Sequence, residues 1–253
     1  MLDGLDSLQS KRVGLALSGG AVRGLAHIGV IKALQELGIK PTVITGTSVG
    51  SIIGAALAAG FGWQEIAEIA RSVFWPSLLQ GKKLEQFCHN HLPESFGDLE
   101  HPFAAIATAL PDNEPVTITA GPLSSAISAS CALRLFRRPV LRDGLRLKDG
   151  GFSCVLPARV CCELGAEFVI GSDVWEWSSL MRWLGNSPND QRRWMKAYPA
   201  HYRSALSHTD IHIHPQVPTH GYLPSAAAVD RMISIGERAA CRAMELFSPL
   251  IAA

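Results

Sequence analysis

Residues 13–60 read VGLALSGGAVRGLAHIGVIKALQELGIKPTVITGTSVGSIIGAALAAG, and their spacing carries the fold class. Val13 to Leu17 is a short aliphatic run of the kind that fills a buried strand. A glycine turn follows, and then Val22, Leu25, Ile28, Ile31, Leu34 and Leu37 recur at helical spacing until Gly38 supplies a C-terminal cap. Thr42 to Thr45 reads as a second strand. Gly50 to Gly60, built almost wholly of Ala, Ile, Leu and Gly, predicts a helix buried against the sheet. Strand, helix, strand, helix in this order predicts an α/β fold with parallel strands covered by helices.

The same alternation continues downstream. A helix is expected over Trp63 to Phe74, with acids early and Arg71 late as the helix dipole favours. Strand candidates are Ala104–Leu110, Val116–Thr119, Leu145–Lys148, Phe168–Ser172 and Asp210–His214, and a last long helix is expected from about Ser225 to Phe247. With 253 residues and 47% hydrophobic positions, the chain fits one domain over 1–253 better than two. One segment breaks the pattern. From about 175 to 205, Trp175, Trp177, Trp183 and Trp194 lie among Arg182, Arg192, Arg193, Lys196 and Arg203, which reads as a flap or insertion. Two accounts fit it: a lid contacting a membrane surface, where indoles and snorkelling cations are at home, or a flap packing on the core or on a second subunit.

Charge excludes one class of partner. Lys and Arg total 23 against 22 acids, a formal net charge of +1, so no global field draws the protein onto nucleic acid. The N-terminal MLDGLDSLQSKR lacks the apolar core of a secretory signal, and the apolar run Ile52–Phe61 falls well short of the roughly 20 residues that span a bilayer. A cytoplasmic protein, in peripheral contact with membrane at most, is the expectation. The six cysteines have no C-x-x-C spacing and read as buried free thiols.

Gly46-Thr47-Ser48-Val49-Gly50 is a G-x-S-x-G motif set between a strand and a helix, the context that gives it meaning. The sharp turn strains the serine backbone and exposes its hydroxyl at a helix N-terminus. Ser18-Gly19-Gly20-Ala21-Val22-Arg23-Gly24 follows the first strand and presents backbone N–H groups that suit either a phosphate or an oxyanion. A dinucleotide fingerprint is disfavoured, because Ala21 replaces its middle glycine and the second strand ends without an acid. Lys148-Asp149-Gly150-Gly151 then offers a carboxylate that burial could raise into a competent base for Ser48.

These three features, in this order, resemble the patatin-like phospholipase family, in particular its small bacterial members. The run Arg23 to Val30 and the segment Ala126 to Val140 resemble it too, although Arg134 stands where a proline is common. The resemblance implies a three-layer α/β/α sandwich with a mostly parallel central sheet. It also implies a lipid acyl hydrolase, phospholipase A or lysophospholipase-like, with a Ser48–Asp149 dyad and an oxyanion hole at the amides of Gly19, Gly20 and Ala21. Arg23, Gly24, Gly46, Gly50, Gly150 and Gly151 then support the motifs, no cofactor is expected, and the partner is a lipid or other acyl ester.

Rival readings remain open at this stage. Downstream histidines, His201, His208, His212, His214 and His220, allow a Ser-Asp-His triad. His212 and His214 share one strand face but lack a third ligand at a telling distance, so no metal is expected. No calcium-binding loop motif is present. His27, behind the glycine loop, is expected to make a structural hydrogen bond. A non-catalytic lipid-binding or regulatory module on the same fold, and a homo-oligomer, complete the alternatives.

Overall fold

The computed structural model describes Leu8 and residues 10–78, 82–133, 138–175, 200–218 and 225–251. Trp177, Arg182, Trp183, Arg192, Arg193, Trp194 and Lys196 of the expected flap lie outside these residues, as do Arg134 and His220.

An eight-stranded sheet organises the chain, with order β5-β6-β3-β2-β1-β7-β8 and β4 also paired to β3. Its parallel part is β1 (Val13–Leu17), β2 (Val43–Thr47), β3 (Phe103–Leu110), β7 (Phe168–Ser172) and β8 (Ile211–Ile213). An antiparallel flank is added by β4 (Pro115–Ile118), β5 (Val140–Arg142) and β6 (Leu145–Asp149). The sheet is therefore mixed, with a parallel centre.

The helices are α1 (Ala26–Glu36), α2 (Val49–Ala58), α3 (Trp63–Ser72), α4 (Trp75–Leu78), α5 (Lys83–His91), α6 (Leu123–Ser130), α7 (Ala158–Glu163), α8 (Ala200–Ser207) and α9 (Ala226–Ile251). They cover both faces of the sheet. Leu15 and Leu17 of β1 join the core under α1, α2 and α9, while Ala16 turns the other way and packs with Ala158, Cys161, Tyr202 and Ala205 of α7 and α8. Alternate burial on two faces explains why these strands read as unbroken apolar runs.

Helices α1 and α9 approach more closely than side chains allow elsewhere. A Cβ on Gly29 would collide with the Ile233 carbonyl, and one on Gly236 with the Ala26 carbonyl. The Lys32 ammonium bridges the pair to Glu237 at 2.8 Å.

The geometry of the site originates at β3. β4 pairs with β3 over Ala105–Thr108, β2 over Phe103–Ile106 and β6 over Ala107–Leu110. A strand has two edges, and β2 and β6 each overlap the span that β4 occupies, so both lie on the edge opposite β4. There they meet end to end. Thr47 pairs with Ile106, and Asp149 pairs with the next residue, Ala107. The C-terminal ends of β2 and β6 are thus forced together, although about a hundred residues separate them in sequence.

The closest packing makes the first prediction. Gly236→Val, which drives a side chain into the α1 backbone, is expected to lower unfolding stability by about 3 kcal/mol in a urea titration followed by circular dichroism.

Candidate active site

Ser48 is the single residue between β2 and α2, and it takes φ 53° and ψ −124°, a conformation that costs a non-glycine residue of order 1–3 kcal/mol. The flanking glycines make the turn possible. A Cβ on Gly46 would strike the Gly50 carbonyl, and one on Gly50 the Leu17 carbonyl. The strand runs two residues further than its apolar pattern suggested, through Gly46 to Thr47, and the helix begins at Val49. The Ser48 N–H donates to Ser130 Oγ at 2.8 Å, and Ser51 Oγ donates to the Ser48 carbonyl at 2.6 Å. Ser130 lies in the segment Ala126 to Val140 picked out above, but nothing in its sequence context marked it as a support of the elbow.

Asp149 ends β6 and is 4% exposed. Ser48 Oγ donates to its Oδ2 at 2.7 Å, and the Gly151 N–H donates to its Oδ1 at 2.8 Å. Burial pushes the Asp149 carboxyl up to about 6, against the pull of those two hydrogen bonds. The loop is braced behind: Thr108 Oγ1 donates to the Asp149 carbonyl at 2.9 Å and lies 2.7 Å from Ser153 Oγ. Ser153 thus supports the loop itself. Gly150 packs against the Ile106 carbonyl, where a Cβ would not fit.

The glycine loop borders the serine, since a Cβ placed on Gly19 would lie 3.6 Å from Ser48 Cβ. The three expected oxyanion donors are not equivalent. The Gly19 N–H is already committed to the Val155 carbonyl at 3.0 Å, so Gly19 is removed from the set. Among the described residues, no acceptor is assigned to the N–H of Gly20 or Ala21. Ala21 adopts φ 52°, so it accepts the left-handed backbone that a glycine would adopt without strain. Arg23 Nε donates to the Gly20 carbonyl at 3.3 Å, and Gly24 leaves room for the Val49 side chain.

His27 is fully buried, with Nε2 3.0 Å from the Ser18 carbonyl and Nδ1 2.7 Å from Ser172 Oγ. Burial lowers its pKa to about 4, so the neutral ring donates from Nε2 and accepts the serine hydroxyl at Nδ1. The ring ties the glycine loop to β7. The other histidines are elsewhere. His208 Nδ1 lies 2.6 Å from the Ser204 carbonyl, and His212 and His214 gather at Asp173. Among the described residues, no histidine is assigned a contact with Ser48 or Asp149; His220 and the side chain of His201 lie outside them.

Asp173, directly after β7, places a carboxylate beside His212 and His214, two side chains that the sequence left without a third candidate ligand. The sequence signal was available in principle, because an acid directly after a parallel strand faces the edge where ligands collect. The six cysteines are all free thiols, and burial pushes Cys154 and Cys161 up to about 12.

Comparison with known proteins identifies relatives of the chain. A family model described as patatin-like phospholipase matches residues 15–161, which include Ser48 and Asp149. An uncharacterized NTE-family protein of Mycobacterium bovis is 35% identical over 175 residues, covering 64% of this chain and 48% of that protein. Neuropathy target esterase sws of Drosophila melanogaster is 30% identical over 186 residues, 66% of this chain and 13% of that protein. The chain therefore spans half or less of these relatives. The crystal structure of VipD from Legionella pneumophila superposes with a TM-score of 0.56 at 14% identity, covering 93% of this chain and 67% of VipD, which is a likeness of fold. With the family match extending over more than half of its length, the chain belongs to the patatin-like phospholipase family.

Proposed function

We propose that the chain hydrolyses lipid carboxylic esters through an acyl-enzyme, with Ser48 as nucleophile, Asp149 as general base and acid, and the amides of Gly20 and Ala21 as oxyanion donors. The observation that carries this reading is the 2.7 Å hydrogen bond from the hydroxyl of a strained serine at a helix N-terminus to a buried carboxylate. In the first half, Asp149 accepts the Ser48 proton as Oγ attacks the ester carbonyl, and the tetrahedral oxyanion takes hydrogen bonds from the glycine loop. Collapse breaks the bond to the alcohol, which leaves with the proton from Asp149. Water then gives its proton to Asp149, attacks the acyl-serine and frees the fatty acid, and Ser48 regains its hydrogen.

The pKa near 6 suits this double duty. A carboxyl raised by burial is a better base than one in water yet remains ionised at neutral pH. A small apolar depression, partly open to solvent, is lined by Ile52, Ala56, Ile66, Ala70, Trp75 and Phe87. Ile52 lies one turn along α2 from Ser48, so an acyl chain approaching on this side of the helix would meet an apolar surface.

A purely lipid-binding module has no use for the strained elbow, which argues against the non-catalytic reading. The triad reading would require His201 or His220, since the remaining downstream histidines have other partners. No helix among the described residues is long and apolar enough to cross a membrane. Access to lipid at the cytoplasmic surface of a bilayer, in part through the 175–205 segment, belongs to this proposal, as does the single-domain organisation.

Four outcomes test it. A fluorophosphonate probe is expected to label Ser48, and Ser48→Ala and Asp149→Asn are each expected to reduce turnover of a short-chain nitrophenyl ester by at least about 10³-fold. Survival of Asp149→Asn together with loss of activity in His201→Ala or His220→Ala would transfer the base role to histidine. The pH profile of kcat/KM is expected to fall on the acid side with a midpoint near 6. The sign for stability runs the opposite way. The folded carboxyl titrates near 6 and the free one near 3.8, so Asp149 loses stability as pH rises through that window. Asp149→Asn should therefore raise Tm at pH 7–8, by an equivalent of order 1–3 kcal/mol, and leave it nearly unchanged at pH 4.

A further inference from the structure

The carboxyl edge of the sheet holds a second group of side chains that the ester chemistry does not use. Asp173 follows β7 and is fully buried, while His212 lies in β8 and His214 directly after it. β7 and β8 are parallel neighbours with Gly171 opposite His212 and Ser172 opposite Ile213, which brings Asp173 level with His214. Alternation along the strands puts Asp173, His212 and His214 on one face.

We infer that Asp173, His212 and His214 form a binding site for one divalent transition-metal ion of the zinc class. His212 Nε2 is 3.3 Å and His214 Nδ1 is 3.8 Å from Asp173 Oδ2, and the three ligand atoms all lie within 4.8 Å of one another. Ligands at about 2.0–2.1 Å from a tetrahedral ion stand roughly 3.3 Å apart, so His212 Nε2 and Asp173 Oδ2 already match and the widest separation must contract by up to about 1.5 Å. Two imidazoles and one carboxylate leave a fourth position for water, and this donor set favours zinc over magnesium or calcium, which take oxygen ligands.

The surroundings are those of a prepared ligand set. The Trp175 N–H donates to Asp173 Oδ1 at 2.9 Å, and the Tyr202 hydroxyl donates to Oδ2, so the carboxylate is oriented from behind. The two imidazoles are about one third exposed, which gives an ion an entry path. Binding exchanges the His212 Nε2–H bond to Asp173 Oδ2 and the His214 Nδ1–H bond to the Asp173 carbonyl, 3.3 and 2.8 Å long, for metal bonds, with each ring proton moving to the other ring nitrogen.

The site also touches the ester machinery indirectly. Val174, the next residue, donates its N–H to Ser18 Oγ at 2.9 Å and packs so tightly on Gly20 that a Cβ there would meet Val174 Cγ2 at 2.6 Å. An ion bridging β8 to this turn would therefore stiffen the support of the glycine loop.

The test is calorimetric titration of the chelator-treated chain with zinc sulfate, with magnesium and calcium chlorides in parallel. One zinc ion per chain is expected, with a dissociation constant on the order of 1 µM or tighter and a rise in Tm. Affinity should drop at least about 10-fold in both His212→Ala and His214→Ala, and stay unchanged in Cys162→Ser, which removes the exposed thiol. Circular dichroism confirms that each variant is folded before titration. No saturable zinc binding, binding unaffected by both histidine variants, or a preference for calcium or magnesium overturns the proposal. Ser48 is not a ligand, so failure to bind zinc leaves the ester-hydrolysis reading standing.

Discussion

The hydrogen bond between Ser48 and Asp149 exists because two strands compete for one edge of β3. β2 takes the lower half of that edge and β6 the upper half, and their C-terminal ends abut at Ile106 and Ala107. Neither the serine elbow nor the Asp149 loop can shift by one residue without breaking this register, because a one-residue slip would send every side chain of the strand to the opposite face. The sheet therefore fixes the distance between hydroxyl and carboxylate more firmly than either loop could alone. A glycine on each side of the elbow, and Gly150 after the carboxylate, let the backbones come close enough to use it.

Around this contact the polar groups are satisfied from the scaffold. Ser130 holds the Ser48 amide, Thr108 and Ser153 hold the Asp149 loop, and His27 holds the glycine loop to Ser172. Neutral His27 is important to this arrangement, since an uncompensated buried charge there would cost several kcal/mol. The site thus concentrates its strain at Ser48 and Ala21, two positions of positive φ, and distributes the support over hydroxyls that bind backbone atoms.

Much of this was legible in the sequence, for identifiable reasons. Val13–Leu17 and Phe168–Ser172 are buried on both faces, so their apolar runs coincide with the strands to the residue. Helix α5 escaped notice because Lys83, Glu85, Gln86, His89, Asn90 and His91 leave only Leu84, Phe87 and Cys88 to bury. Strand β5 is three residues long and half-buried at best, too short for any period to register. The motifs named Ser48 and Asp149, but their contact depends on the pairing of β3 with two distant strands, which no local pattern encodes. Gly19 was expected to present a free amide; its acceptor, the Val155 carbonyl, comes from a loop more than a hundred residues away. Asp173 was overlooked for the same reason, since its histidine partners arrive with the following strand.

The central claim is that the buried carboxylate and the two amides of the glycine loop converge on the serine oxygen. The direct measurement is a crystal structure of the chain phosphonylated by an organophosphonate, whose tetrahedral phosphorus mimics the intermediate. The account predicts phosphorus on Ser48 Oγ, its free oxygen within hydrogen-bond distance of the Gly20 and Ala21 N–H groups, and Asp149 alongside Oγ. An adduct whose oxygen points away from the glycine loop, or a chain that stays unmodified at Ser48, would contradict it.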